Sequence, residues 1–327
     1  MKIGLIGGIY GMPEEFRRTH LQETTETVLE RELSSRGHEV FTAGHRLWNR
    51  LPTLDVLHIH HLASSCVQLP VRRVPTVFTR HATKPLPAHQ RLVLEATYSS
   101  VDAIVALSRR EVTEFLPARH RGKATVIHNG INQDLFHPAT SPAQAEGGEV
   151  RLLYVGQLIE LKRVHLAIEL LAEARRSGID ARLAISTQRP TLEPDLRTAA
   201  EASNVADLID WLGPLGQPEV AEQMRASDML VLPSRTEALS TVIAEAILSG
   251  IAVHCFDVGG APEQLPSDWV LPATTAVQEW IALGVERMKN IDDTKRAIEK
   301  HQPVAAEQYD IGTMIDSHLE VYERISR

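Results

Sequence analysis

The stretch from Ser234 to Glu263, SRTEALSTVIAEAILSGIAVHCFDVGGAPE, reads as loop, helix, strand and loop. Asp228 to Leu232 (DMLVL) just before it is a short apolar run stopped by Pro233. Ile251 to Phe256 (IAVHCF) is another, so one helix joins two buried strands. That is a βαβ unit, and its strands are parallel. Ser240 is suited to cap the helix N-terminus and Gly250 to end it. Between them TVIAEAILS is apolar nearly all round, as expected of a helix packed against a sheet and a second surface.

Glu245 sits in the middle of that helix, where a carboxylate is costly unless its oxygens find donors. Glu237 precedes it in the loop leaving the first strand, and open α/β sheets bind ligands outside the carboxyl ends of their strands. The two acids are therefore candidates to face one cleft. Taken singly, each has a plainer reading: Glu237 as a solvated loop acid, Glu245 as a helix residue reaching water.

A chain of 327 residues, 43% hydrophobic, is long enough for two ordinary domains, each with its own core. The net charge of -8 gives no excess of Lys and Arg to neutralise phosphates, which argues against nucleic acid as a partner. Arg109, Arg110, Arg119, Arg121 and Lys123 read as a solvated face. Cys66 and Cys255, both in apolar surroundings, provide no disulfide framework and suit a reducing compartment. The start MKIGLIGG is too short and glycine-rich for a signal peptide, and no run approaches the roughly 20 apolar residues of a membrane helix. The expectation is a cytoplasmic protein.

From the N-terminus strand and helix alternate: Lys2 to Ile6, a helix from Thr24 to Arg36, Glu39 to Ala43, Asp55 to His60, Thr76 to Thr79, Val101 to Leu107 and Ala124 to His128. Gly4, Gly7, Gly8 and Gly11 do not form a dinucleotide fingerprint, because Ile6 stands where its first glycine belongs. They read as a tight strand exit, with Gly8 lining the cleft. His58 and His60 share one face of a strand, which is the placement of a metal pair. Without a clear third ligand they read as hydrogen-bonded histidines at a strand end.

Pro138 to Glu149 (PATSPAQAEGGE) has linker composition, which places the domains at 1–137 and 150–303 with the linker at 138–149. The pattern then restarts: Arg151 to Val155, a loop, a helix from Arg163 to Arg176, Ala181 to Ile185, Leu208 to Leu212, a helix from Glu219 to Ala226 and the βαβ unit already described. Lys162 and Arg163 stand side by side where the first of these helices is expected to begin. Its positive end disfavours cations, so the pair indicates a bound anion, with phosphate the natural candidate; solvated side chains leaning away are the alternative. Ala276 to Lys300 reads as helical, and after Pro303 a last helix, 304–327, ends the chain.

Glu237, Glu245, Ala246, Gly250, Val253, Gly259, Gly260 and Glu263 together resemble the donor-site signature of glycosyltransferase family 4, retaining enzymes of the two-domain GT-B fold. VPTVFTRHA, ending near His81, KATVIHNGINQDLF before the linker and the Lys162 loop resemble other segments of that family, in the family's order. The resemblance implies an α/β fold with two doubly wound, Rossmann-like parallel sheets facing a cleft. The helix 304–327 then returns to the first domain. It also implies a metal-independent hexosyltransferase using a nucleoside-diphosphate sugar, a UDP-sugar first among them, and no cofactor. Its partners are that donor and a small soluble hydroxylated acceptor.

By the same resemblance Glu245 accepts hydrogen bonds from the ribose hydroxyls, Lys162 neutralises the diphosphate, and Glu237 with the backbone of Ala238, Leu239, Ser240 and Thr241 holds the sugar. Gly213, after Trp211 and Leu212, lies beside the base, and His81 faces the transferred sugar. Two positions depart from the pattern. Gln157 stands where the family has a diphosphate-binding Arg, leaving charge stabilisation to Lys162, the helix terminus and Arg163. The family's acceptor-side glycine pair falls at His20 and Leu21. These departures keep open a nucleotide-sugar binder without strong activity, beside a phosphorylase or epimerase on the same fold.

Overall fold

In a computed structural model, residues 1–21, 24–44, 52–61, 74–81, 86–139 and 148–327 are described, except the side chains of 18–20. The chain divides into two compact units, Met1–Gly130 with Tyr309–Arg327, and Ile131–Gln308.

The first unit carries six parallel strands: β1 (Lys2–Gly7), β2 (Glu39–Ala43), β3 (Val56–His60), β4 (Thr76–Thr79), β5 (Ala103–Ala106) and β6 (Ala124–Val126). Their spatial order is β2-β1-β3-β4-β5-β6. Short runs such as VLHIH and AIVA are buried along their whole length, as strands covered on both faces must be. The helix Thr25–Ser35 is capped by Thr24, whose side chain accepts from the Thr27 N–H. The final helix, Ile311–Ser326, supplies Met314, Ile315, Val321 and Tyr322 to the core that holds Ile3, Leu5 and Leu29.

The second unit repeats the plan with β7 (Val150–Val155), β8 (Ala181–Ser186), β9 (Ile209–Gly213), β10 (Met229–Leu232), β11 (Ala252–Asp257) and β12 (Val270–Pro272), ordered β12-β11-β10-β7-β8-β9. From β7 the chain builds outward to β8 and β9, then returns to build β10, β11 and β12 on the other side. The direction of winding therefore reverses between the neighbours β7 and β10, which is where such sheets place ligands. In the first unit the reversal lies between β1 and β3.

The βαβ stretch folds as its sequence indicates. The helix Thr241–Leu248 starts after Ser240 and stops at Gly250, whose φ of 76° lets the Gly250 and Ile251 N–H groups bond the carbonyls of Ile247 and Ala246. Three local expectations change. The helix after Lys162 begins at His165, following a single 3₁₀ turn, Glu160–Lys162, with Arg163 in the left-handed region at φ 47°. The helix Ile291–Gln308 runs through Pro303, and the break comes at Asp310, whose carboxylate caps the next helix by accepting from Thr313 N–H. The unit boundary falls at 130/131 rather than after 137, because Gln133 bonds the carbonyl of Ala306 and Arg225 bonds that of Leu135. Residues 140–147 of the expected linker lie outside the described residues, as does Cys66.

Candidate functional site

The exits of β7 and β10 are knitted together. The Arg235 N–H donates to the Leu161 carbonyl at 2.8 Å. Arg163 reaches back to donate from Nε to the Pro233 carbonyl at 2.8 Å and from Nη2 to the Ser234 carbonyl at 3.2 Å. Its guanidinium also lies over the Phe256 ring, 4.3 Å from the centroid. The structure places Arg163 under the loop as a brace. Burial and the neighbouring Arg235 both push its pKa below the ordinary value.

Above this brace Lys162 Nζ stands 2.6 Å from Glu237 Oε1. Both side chains are largely covered, 22% and 11% exposed, so the ammonium and carboxylate are held in one geometry rather than dispersed in water. Gln157, at the position where the family pattern has Arg, is exposed, and its carbonyl accepts from the buried Tyr154 hydroxyl at 2.9 Å. The 157–163 loop is thereby tied at both ends.

The loop after Glu237 is shaped by the next βα connection. Gly260 N–H donates to the Ala238 carbonyl, and a Cβ on Gly259, at φ 55°, would sit 2.2 Å from the Glu237 carbonyl oxygen and 2.5 Å from that of Ala238. No side chain fits there. The buried Gln264 clasps Ser240 from both sides, accepting from its N–H at 3.3 Å and donating to its carbonyl at 2.9 Å. Leu239 is buried beneath the turn, while Ala238 and Thr241 are half-buried.

Glu245 is buried on the helix behind this loop, and the donor it meets among the described residues is Gln217 Nε2, at a long 3.4 Å. Burial lifts its carboxyl pKa to about 7, the Gln217 bond opposing. Gln217 Oε1 is itself buried without a partner among the described residues. Gln217 opens the helix Gln217–Arg225 after β9, whose last residue, Gly213, accepts through its carbonyl from Thr187 N–H and Ser186 Oγ. An acid with too few donors beside an amide with a spare acceptor is an arrangement that polyhydroxylated ligands complete.

These positions bring Lys162, Glu237, the 238–241 turn and Gln157 to one pair of loops, with Glu245 and Gln217 behind them. Gln217, Gln264 and Arg235 carry no signature in the sequence. Their roles depend on which loops the sheet order makes neighbours.

In the first unit His81 follows β4, and its Nε2 is 2.9 Å from His60 Nδ1. Burial pushes its pKa down to about 4, with Glu26 opposing. Gly8, at φ 40°, lies against this group, since a Cβ there would come within 2.6 Å of the His61 ring and 3.2 Å of Glu26 Oε1. His58 is saturated, its two ring nitrogens each 2.7 Å from a hydroxyl, Tyr322 and Thr79. His20 ends the helix Glu14–His20, and its side chain lies outside the described residues.

Residues 139–300 match the family model described as glycosyl transferases group 1, and residues 30–135 match that described as glycosyltransferase family 4. The D-inositol 3-phosphate glycosyltransferase of Thermobispora bispora is 30% identical over 239 residues, covering 63% of this chain and 55% of that protein. The phosphatidylinositol N-acetylglucosaminyltransferase gpi3 subunit of Schizosaccharomyces pombe is 28% identical over 54% of this chain and 38% of its own length. The chain thus spans about half the length of the curated relatives it matches. Among solved structures, Anabaena HepE in complex with UDP and glucose aligns with a TM-score of 0.79 at 17% identity, covering 99% of this chain and 100% of that one. Sucrose-phosphate synthase from Thermosynechococcus elongatus aligns at 0.81 and 15% identity, covering 99% and 98%. At these identities the likeness is one of fold, the GT-B architecture of paired parallel sheets.

Proposed function

This chain belongs to glycosyltransferase family 4, and we propose that it is a retaining hexosyltransferase that moves a sugar from a nucleoside-diphosphate sugar to a hydroxyl of a small soluble acceptor. The observation that carries the reading is the Lys162–Glu237 pair at the β7/β10 reversal, with the donor-poor Glu245 behind it. A cation for a diphosphate, a carboxylate for sugar hydroxyls and a second carboxylate for a ribose lie on two adjacent strand exits and the helix that follows. A UDP-sugar is favoured as donor, in line with the UDP and glucose named with HepE. A small polyol phosphate acceptor is in line with relatives named for D-inositol 3-phosphate.

In this reading the diphosphate takes over Lys162 as the donor enters, and Glu237 turns its oxygens to sugar hydroxyls. As the glycosidic bond breaks, negative charge grows on the diphosphate, and Lys162 stabilises it more in the transition state than in the bound donor. The acceptor hydroxyl attacks on the face the diphosphate leaves, its proton passing to a phosphate oxygen, which preserves the anomeric configuration. In the family pattern the residue at the position of His81 faces the transferred sugar, and the reading gives His81 that role. No step calls for a metal ion at the diphosphate.

One observation favours a second reading, a nucleotide-sugar binder with little turnover. Gln157 brings no charge where the family has Arg, and Arg163 is engaged by backbone carbonyls. A panel of nucleotide sugars tested by thermal stabilisation identifies the donor, since a ligand at 100 times its Kd adds about 2.7 kcal/mol. Incubation with acceptors, read by NMR of the anomeric proton, then separates the readings: a product of unchanged anomeric configuration supports the transferase, and an inverted product removes the retaining mechanism.

A further inference from the structure

We propose that Glu26, His60 and His81 form a binding site for one divalent transition-metal ion of zinc-like chemistry, with His61 positioning the carboxylate. The site lies within the first unit and goes beyond the transferase reading: it shares His81 with that reading, but no residue of the Lys162 and Glu237 loops takes part.

Three chain segments converge there. Glu26 opens the helix Thr25–Ser35, His60 ends β3, His61 follows it, and His81 lies just past β4. Each of Glu26, His60 and His81 offers one ligand atom, and the three atoms all lie within 4.8 Å of one another. His60 Nδ1 is 2.9 Å from His81 Nε2, and the Glu26 carboxylate meets His61 Nε2 at 3.1 Å. The group sits at the winding reversal between β1 and β3, where this kind of sheet opens a ligand crevice.

Three further features fit an ion better than a hydrogen-bonded cluster. Glu26 and His60 are buried, and buried acids and imidazoles call for partners on every polar atom; yet His60 Nε2 has none among the described residues. His58, two residues earlier on the same strand face, has both nitrogens satisfied, so the strand supplies partners where a histidine is only structural. His61 holds the left-handed region at φ 71°, a conformation that costs a non-glycine residue energy and aims its ring at Glu26. Gly8 leaves room for that pair, as any Cβ there would strike the His61 ring.

Imidazole nitrogens with one carboxylate select zinc, copper, iron or nickel rather than magnesium or calcium. Either ring nitrogen of a histidine can ligate, and a tetrahedral ion would hold it with a bond of about 2.0–2.1 Å. Three protein ligands leave a fourth position for water or an acceptor hydroxyl. The His61–Glu26 bond is the kind of outer contact that fixes a ligating carboxylate in place.

The test uses the full chain, stripped with a chelator, and titrates it with zinc or cobalt(II) chloride by calorimetry. The proposal expects saturable uptake of one ion per chain, at least tenfold weaker in Glu26→Gln and in His81→Gln, and roughly 10- to 100-fold weaker in His61→Ala. Because the buried Glu26 variant is the one most exposed to misfolding, X-ray absorption on the zinc-loaded parent provides a second reading. It should show only nitrogen and oxygen neighbours at about 2.0–2.2 Å. Absence of saturable binding, equal affinity in folded variants, or a sulfur neighbour at about 2.3 Å would overturn the site. The readout is metal uptake, so its failure leaves the transferase reading standing.

Discussion

Lys162 Nζ lies 2.6 Å from Glu237 Oε1, joining the loop that leaves β7 to the loop that leaves β10. Each side chain neutralises the other while no ligand is bound, and each is the group a sugar diphosphate would claim for a different part of itself. The pair therefore keeps two donor-binding groups preorganised. Truncating either removes this charge-assisted contact from a partly buried partner.

Glu237→Gln tests that exchange. It keeps the shape and a hydrogen bond to Lys162 but removes the charge, and it should weaken donor binding by about 1.5–3 kcal/mol, measured by calorimetry. Unchanged affinity in the folded variant would show that Glu237 serves only to hold Lys162.

Glu245 gives a pH signature. Its carboxyl is raised from 4.5 to about 7 by burial, so the folded chain keeps a proton that the unfolded chain has already lost. Stability should therefore fall as pH rises from about 4.5 to about 7 and level off above, by an amount on the order of 3 kcal/mol from this group. Glu245→Gln lacks the effect and should be the more stable protein at pH 8 in urea denaturation, with the difference vanishing near pH 4. Glu111, also raised to about 7 by burial, is common to both proteins and cancels in the comparison.

The same group couples binding to protons. Ribose hydroxyls donating to Glu245 favour its ionised form, so nucleotide binding at pH 7 should release up to about half a proton. Calorimetry in buffers of different ionisation enthalpy detects the release, and it should disappear in Glu245→Gln along with much of the affinity.

Gly259→Ala should disrupt the turn that presents Glu237, because the new Cβ would collide with the Glu237 and Ala238 carbonyls. Gly37→Ala is the matched control, with φ 83° but nothing within 4 Å of its Cβ. Both should lose about 1 kcal/mol for the left-handed backbone, while only Gly259→Ala should also lose donor binding by tenfold or more.

Much of this was legible in the chain. The apolar runs gave every strand of both sheets except β12, Gly250 marked a helix end through capping chemistry that is local, and Lys162 and Glu245 stood out as charges in awkward places. Gln217, Gln264 and the bracing role of Arg163 were not legible, since each acts on a loop brought near only by the sheet order. Pro303 misled for a related reason. Local propensity ends a helix there, but Ile298 and Ala305, both fully buried on either side of it, hold the helix Ile291–Gln308 together across the missing N–H.

Gln157→Arg restores the charge the family pattern has at that position. If the site is a diphosphate site weakened by one substitution, turnover should rise with little change in fold stability, because Gln157 is exposed. Unchanged turnover would indicate that the nearby Arg235 or Arg163 already supplies the second charge.

The most direct measurement is the turnover of Lys162→Ala, folded and saturated with its donor and a verified acceptor. If Lys162 stabilises charge on the departing diphosphate, kcat should drop by on the order of 10² or more while donor affinity changes less. A variant that turns over as fast as the parent would contradict the assignment of this site as the place where the sugar–diphosphate bond is broken.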